Sequence, residues 1–292
     1  ERMCMEMMMQ KVKDNVIIAL DFPGGDEALD FLDKLAKTNV SDASGASDAA
    51  GSGTSGGAVL PYVKVGMELF YSEGPEIIRE IKARGYRIFL DLKLHDIPNT
   101  VGRSMETLAK LGVDMVNCHA AGGRRMMEAA LEGLQRGAQS GSVKNSASGC
   151  RRPLLIAVTQ LTSTDERMLH DELMIDRAAT VEDAVIRYAK NAKAAGLDGV
   201  VCSPLEAESI HREIGPGFLT VTPGIRFADP SAGIGQNANA GANDDQHRIT
   251  TPEMAGRMGS DYIVVGRPVT RADDPGDAYR KCREDFLKGE GR

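Results

Sequence analysis

At 292 residues, with 42% hydrophobic and 26% charged side chains, the chain has the composition of a globular protein with one large domain or two small ones. No stretch approaches the ~20 apolar residues of a membrane span. A formal net charge of −7 argues against a nucleic-acid binder, which needs a basic face to neutralise many phosphates, but leaves room for a small anionic ligand.

Residues 1–14 open with methionines broken by charges and have no continuous apolar core of the signal-peptide kind, so they read as an extension outside the fold. The five cysteines (Cys4, Cys118, Cys150, Cys202 and Cys282) are odd in number and form no C-x-x-C pair. They read as reduced thiols in a cytoplasmic protein.

From residue 15 onward, short β-branched and aromatic runs alternate with longer helical patterns. The strand candidates are Val16 to Leu20, Tyr62 to Val65, Arg87 to Lys93, Met115 to Cys118, Leu154 to Val158, Gly199 to Cys202, Leu219 to Val221 and Tyr262 to Val265. Helical patterns fall between them, for example at Glu76 to Arg84, Gly102 to Leu111, Met126 to Leu134, Val181 to Ala194 and Thr251 to Met258. Segments 38–58, 138–150 and 229–244 are rich in Ser, Gly, Ala, Asn and Asp and lack any apolar period. They are expected to be loops inserted in a compact framework. Without them about 240 residues remain, close to the ~250 of an eight-fold barrel. The expected fold is α/β, a (β/α)8 TIM barrel forming one domain over residues 15–292, with an open doubly wound sheet as the alternative.

A barrel assembles its site at the C-terminal ends of its strands, and polar residues follow the strand cores there. Asp21 follows the first and Lys64 lies in the second. Asp91 and Lys93 close the third and His119 follows the fourth. Thr159 to Thr162, Ser203, Thr222-Pro223-Gly224 and Gly266-Arg267 follow the remaining four. In the run Asp91-Leu92-Lys93-Leu94-His95-Asp96-Ile97-Pro98-Asn99-Thr100, the two-residue period puts Asp91 and Lys93 on one face and Leu90, Leu92 and Leu94 on the other. Asp96 follows in a turn stiffened by Pro98. Opposite charges about 4 Å apart attract by ~4 kcal/mol at an effective dielectric near 20, so Lys64, Asp91, Lys93 and Asp96 form a candidate array of four ionised groups. The bland alternative is an ion-pair network that closes one end of the barrel. His95 and His119 read as structural, since nothing clusters with them at metal-ligand spacing.

The Asp91 to Thr100 run resembles the signature of the orotidine 5'-phosphate decarboxylase family. Other segments are similar in the family's order: Val16 to Asp21, Val63 to Gly66, Val158 to Thr164, Thr222 to Arg226 and Val264 to Arg267. The resemblance implies a carboxy-lyase of pyrimidine biosynthesis that converts orotidine 5'-monophosphate to uridine 5'-monophosphate without metal or organic cofactor. It implies that Lys93 donates the proton to carbon six of the pyrimidine, that Asp91 lies beside the departing carboxylate, and that Lys64 and Asp96 complete the array. Asp21 would bind the ribose hydroxyls and Thr162 the pyrimidine edge. Arg226, Gln246, Gly266 and Arg267 would serve the phosphate side, and Asp96 and Thr100 would reach into the neighbouring subunit's site, which implies a homodimer. One departure is the low-complexity stretch between Arg226 and Gln246. Because closure entropy grows slowly with loop length, it is expected to weaken binding at most.

Three other readings compete. A magnesium-dependent sugar-phosphate decarboxylase or synthase on the same barrel would use the carboxylates as metal ligands. A Schiff-base aldolase would use Lys93 or Lys64 as a nucleophile. A phosphate-ligand-binding barrel would bind nucleotide without turnover, although it would have little reason to keep Asp91 facing an anion.

Overall fold

The computed structural model describes residues 15–41, 60–140, 152–227 and 250–291. Its first half runs β1 (Val16–Ala19), α1 (Gly25–Ser41), β2 (Tyr62–Val65), α2 (Met67–Glu73), α3 (Pro75–Ala83), β3 (Arg87–Leu94), α4 (Pro98–Ala109), β4 (Met115–His119) and α5 (Arg124–Ser140). The second half runs β5 (Leu154–Val158), α6 (Val181–Ala194), β6 (Gly199–Val201), α7 (Pro204–Ile214), β7 (Leu219–Thr222), α8 (Pro252–Arg257), β8 (Tyr262–Val265), α9 (Arg267–Thr270) and α10 (Pro275–Gly289). All eight strands are parallel, each pairs with its sequence neighbour, and β1 closes on β8 with Ile17 opposite Val264. The sheet is therefore a closed (β/α)8 barrel, and the open doubly wound alternative is excluded.

Two apolar layers follow from the two faces of each strand. Ile17, Ala19, Tyr62, Phe89, Met115, Ile156, Val221, Tyr262 and Val264 fill the lumen. Ile18, Val63, Val65, Ile88, Leu90, Leu92, Val116 and Cys118 point outward and pack with the helices. Leu94 is packed against that outer layer while Phe89 belongs to the lumen, so the expected split of the third strand into two faces holds. Cys118 and Cys282 are fully buried, and burial pushes both thiols up to about 12, as unreactive core positions require.

Two insert boundaries lie later than composition suggests. Helix α1 runs through residues 38–41 and α5 through 138–140, so the loops do not begin at 38 and 138. In both cases a hydroxyl bonds back to the carbonyl three residues earlier, Thr38 to Leu35 and Ser140 to Gly137. This satisfies the side chain inside the helix and lets a polar residue continue it. The extension 1–14, nearly all of the three inserts, and Gln246 lie outside the described residues.

The N-terminal end of the barrel carries a repeated clamp. Gly112-Val113-Asp114, Gly196-Leu197-Asp198 and Gly259-Ser260-Asp261 lead into β4, β6 and β8. Each glycine turns at positive φ, at 72°, 85° and 82°, which a residue with a Cβ adopts only at a cost. Each aspartate then accepts the N–H of the second residue of the preceding strand: Ile88 at 2.8 Å, Leu155 at 2.8 Å and Thr220 at 2.8 Å. A basic side chain completes each clamp: Lys82, Arg152 or His211. The face opposite the candidate site is thus stitched together by charge-assisted bonds.

One clamp carries a histidine, so its strength depends on pH. The hydrogen bond to Asp261 raises the His211 pKa above its ordinary value, against an opposing effect of burial. A folded-state pKa above the unfolded ~6.5 means that the bond's stabilisation is complete below that pH and fades as pH rises through the folded value. His211→Ala should therefore cost about 1.5–3 kcal/mol near pH 5.5, the range for hydrogen bonds to charged groups, and less near pH 9. Urea unfolding of both proteins at the two pH values measures this, and a pH-independent difference would contradict it.

Candidate active site

The site grows from the strand period. On β2, Tyr62 and Lys64 face the lumen. On β3, Phe89 and Asp91 do the same, and Lys93 follows at the rim. Asp21 stands two residues beyond Ala19 of β1. Lys64 Nζ lies 3.1 Å from Asp21 Oδ1 and 3.5 Å from Asp91 Oδ2, and Lys93 Nζ donates to Asp91 Oδ1 at 2.8 Å. The result is an alternating row, Asp21–Lys64–Asp91–Lys93, across three adjacent strands. Asp21 is thus engaged in an ion pair with Lys64. Gly66 packs beside it: a Cβ at that position would come 3.2 Å from Lys64 Nζ, so the ammonium would have to shift by a few tenths of an ångström.

The row is graded in exposure. The Asp91 side chain is 10% exposed, Lys64 12%, Lys93 28% and Asp21 62%. Burial pushes the Asp91 carboxyl up, but the ammonium groups of Lys64 and Lys93 and the hydrogen bonds from Lys93 and Asn117 outweigh it and hold the pKa below the usual carboxylate value. Burial likewise pushes Lys64 down, and Asp91 and Asp21 overcome it to raise its pKa. Asp91 is thus an anion wedged between two cations.

Asp96 is not part of the row within this chain. Its Oδ1 accepts the Ile97 N–H at 2.6 Å, it is exposed, and it pairs with neither lysine. The array expected as Lys64, Asp91, Lys93 and Asp96 therefore has Asp21 as its fourth member inside one chain. Pro98, expected to stiffen a turn, instead occupies the first turn of α4, where its missing N–H costs nothing. Thr100 consequently lies on the exposed first turn of that helix.

Among the remaining candidates, Gly266 adjoins the row, since a Cβ there would sit 3.6 Å from Asp21 Oδ2. Arg267 begins α9 beside it and is exposed. Arg226 donates to the Ile225 carbonyl at 3.0 Å, and an isolated bridge of Ile225 with Thr250 ties the chain together on either side of residues 228–249. Thr162 is half-buried in the segment after β5. Several other rim residues turn out to be structural. Ser203 caps α7, Thr159 donates to the Val201 carbonyl, and the Thr222 hydroxyl is hydrogen-bonded with the Ser260 hydroxyl and the Tyr262 carbonyl. His95 and His119 stack with centroids 5.6 Å apart. Burial, followed by His95 and Lys93, lowers the His119 pKa, so that ring is neutral at pH 7.

Among the described residues, Asn117 is the one at the charge row that the sequence reading missed. It is 1% exposed on the lumen side of β4, and it contacts both Asp91 and the Lys93 main chain. The available signal was an amide inside the apolar run Met115 to Cys118, because a buried amide needs specific partners.

A closed eight-stranded barrel with two lysines bridged by a buried aspartate at its C-terminal mouth defines a (β/α)8-barrel enzyme acting on a small charged substrate. The chain belongs to the orotidine 5'-phosphate decarboxylase / HUMPS family, which it matches over residues 56–282. It is 49% identical over 279 residues to an orotidine 5'-phosphate decarboxylase of Geobacillus sp. (strain WCH70), covering 96% of this chain and 99% of the relative. To the enzyme of that name from Staphylococcus aureus it is 48% identical, covering 94% of this chain and all of the relative. The crystal structure of orotidine 5'-phosphate decarboxylase from Lactobacillus acidophilus superposes with a TM-score of 0.71 at 38% identity, covering 94% of this chain and 99% of that one.

Proposed function

We propose that this chain decarboxylates orotidine 5'-monophosphate to uridine 5'-monophosphate, with Lys93 as the proton donor. The observation that carries this reading is the Lys93 ammonium held 2.8 Å from Asp91 on the lumen face of β3. Loss of carbon dioxide breaks the bond from carbon six to the carboxylate and leaves the electron pair on carbon six. A cation aimed at that carbon stabilises the developing charge and then delivers its proton. Lys93, left neutral, regains a proton from solvent. Asp91 repels the substrate carboxylate, a penalty that vanishes as neutral carbon dioxide departs.

In this reading Lys64 keeps Asp91 ionised and, with Asp21, meets the ribose, while Thr162 meets the pyrimidine edge. Gly266 and Arg267, with Arg226 and Gln246 from the loop after β7, hold the phosphate at the usual barrel position. Asp96 and Thr100 serve the neighbouring subunit of a homodimer, in keeping with their exposure beside Ile97, which is itself 65% exposed. The partners are the two nucleotides and a second copy of the chain, with no role for nucleic acid or membrane, in the cytoplasm. Among the described residues no helix is long and apolar enough to cross a membrane.

The magnesium-dependent reading asks the same carboxylates to bind a metal. Asp91 Oδ1 already accepts from Lys93 and Asn117, and Oδ2 faces Lys64, an environment suited to a counter-ion more than to a cation ligand. Following the absorbance of orotidine 5'-monophosphate with and without a chelator tests the choice. Turnover unaffected by the chelator is expected, and its abolition would favour the metal-dependent reading.

A further inference from the structure

Strands β3 and β4 lose register at the site. Leu90 lies opposite Val116, but the next matched pair is Leu94 with Cys118. Four residue steps on β3 therefore oppose two on β4, and the excess bulges between Leu90 and Leu94, the stretch that holds Asp91 and Lys93. Bulges commonly re-aim a side chain beside an active site. Here the backbone bends far enough that Lys93 has φ of 52°, a left-handed conformation that a side chain like lysine adopts only when its surroundings enforce it.

The Asn117 side chain spans this bulge from β4. Its Oδ1 accepts the Lys93 N–H at 2.8 Å, and its Nδ2 donates to Asp91 Oδ1 at 2.7 Å. Only one orientation of the amide satisfies both partners, because a main-chain N–H must meet the oxygen and a carboxylate must meet the NH2. Asp91 Oδ1 also accepts from Lys93 Nζ. One amide thus fixes the proton-bearing side chain at both ends, at its main chain directly and at its ammonium through Asp91.

We infer that Asn117 is a positioning residue of the decarboxylation: it braces the β3 bulge so that Lys93 and Asp91 hold their reactive geometry. This rests on the decarboxylase reading above. A buried asparagine that merely filled a polar niche would contribute to stability alone. A brace contributes to the chemical step, where misplacement of a reacting group by about 1 Å costs on the order of 100-fold.

The test compares Asn117→Ala, Asn117→Ser and Thr222→Val with the unaltered protein. Thr222 is a fully buried, hydrogen-bonded barrel residue away from the row, so its variant reports general loosening. The readouts are kcat, KM, the Kd for uridine 5'-monophosphate, and the fraction folded by thermal melting. Asn117→Ala should lower kcat per folded molecule by about 100-fold while the Kd for uridine 5'-monophosphate stays within about 3-fold. Asn117→Ser, which offers a single shorter hydroxyl in place of the two-headed amide, should recover part of the loss, and it stands in for the alanine variant if that one does not fold. Thr222→Val should keep its kcat. A kcat that follows only the folded fraction, or a loss confined to Kd and KM, would overturn the inference. Absence of turnover in the unaltered protein would instead sink the decarboxylase reading.

Discussion

Lys93→Ala is expected to abolish measurable turnover, with a fall of ~10⁴-fold or more, while uridine 5'-monophosphate still binds. The size follows from two losses in one substitution. General acid catalysis contributes about 10²–10⁴-fold, and a preorganised charge aimed at the developing carbanion about 10²–10³-fold. Removing the ammonium also strips Asp91 of its 2.8 Å partner, which leaves a nearly buried carboxylate with Lys64 and Asn117 as its donors. That excess negative charge should oppose the substrate carboxylate more than the product, which has none. Isothermal titration with uridine 5'-monophosphate beside an absorbance assay separates the two effects. Turnover within about 10-fold of the unaltered protein would remove Lys93 from the role of proton donor.

The second large effect concerns the subunit partner. Asp96→Ala should lower turnover by ~10³-fold if its carboxylate completes the neighbouring site, since lost charge stabilisation of this kind costs about that much. The distinctive result is complementation. A mixed dimer of one Asp96→Ala and one Lys93→Ala subunit contains one site with both defects and one with neither. Random reassortment of equal amounts makes half the dimers mixed, so about a quarter of the original activity should return. Within the chain, Asp96 bonds its own neighbour's N–H and pairs with neither lysine, so a purely internal role predicts no recovery on mixing. Refolding the two variants together and assaying the mixture decides the point.

Much of the framework was legible in the sequence because the strands of a barrel carry two independent signals. The lumen side of β3 reads Phe89 and Asp91 and the helix side Ile88, Leu90 and Leu92, and that period survives any neighbouring loop. The strands Tyr62–Val65, Leu154–Val158 and Tyr262–Val265 have the expected ends, since a proline, glycine or polar residue stands at each end. Composition was a poorer guide at the helix ends, where Thr38 and Ser140 extend helices through back-bonded hydroxyls. A hydroxyl's choice between turn and helix depends on whether the preceding helix is already formed.

The sequence alone determined the barrel class, the outward and inward faces of the strands, and the pairing of Asp91 with Lys93, because each depends on spacing along one strand. Tertiary structure decided what depends on register between strands. It placed Asp21 beside Lys64, left Asp96 outside the row, bent Lys93 to positive φ in a bulge, and set Asn117 of β4 across that bulge. Nothing in the local period of either strand encodes a two-residue excess of one over the other. It arises only when the closed barrel fixes both strands between their neighbours and the surplus chain has to buckle.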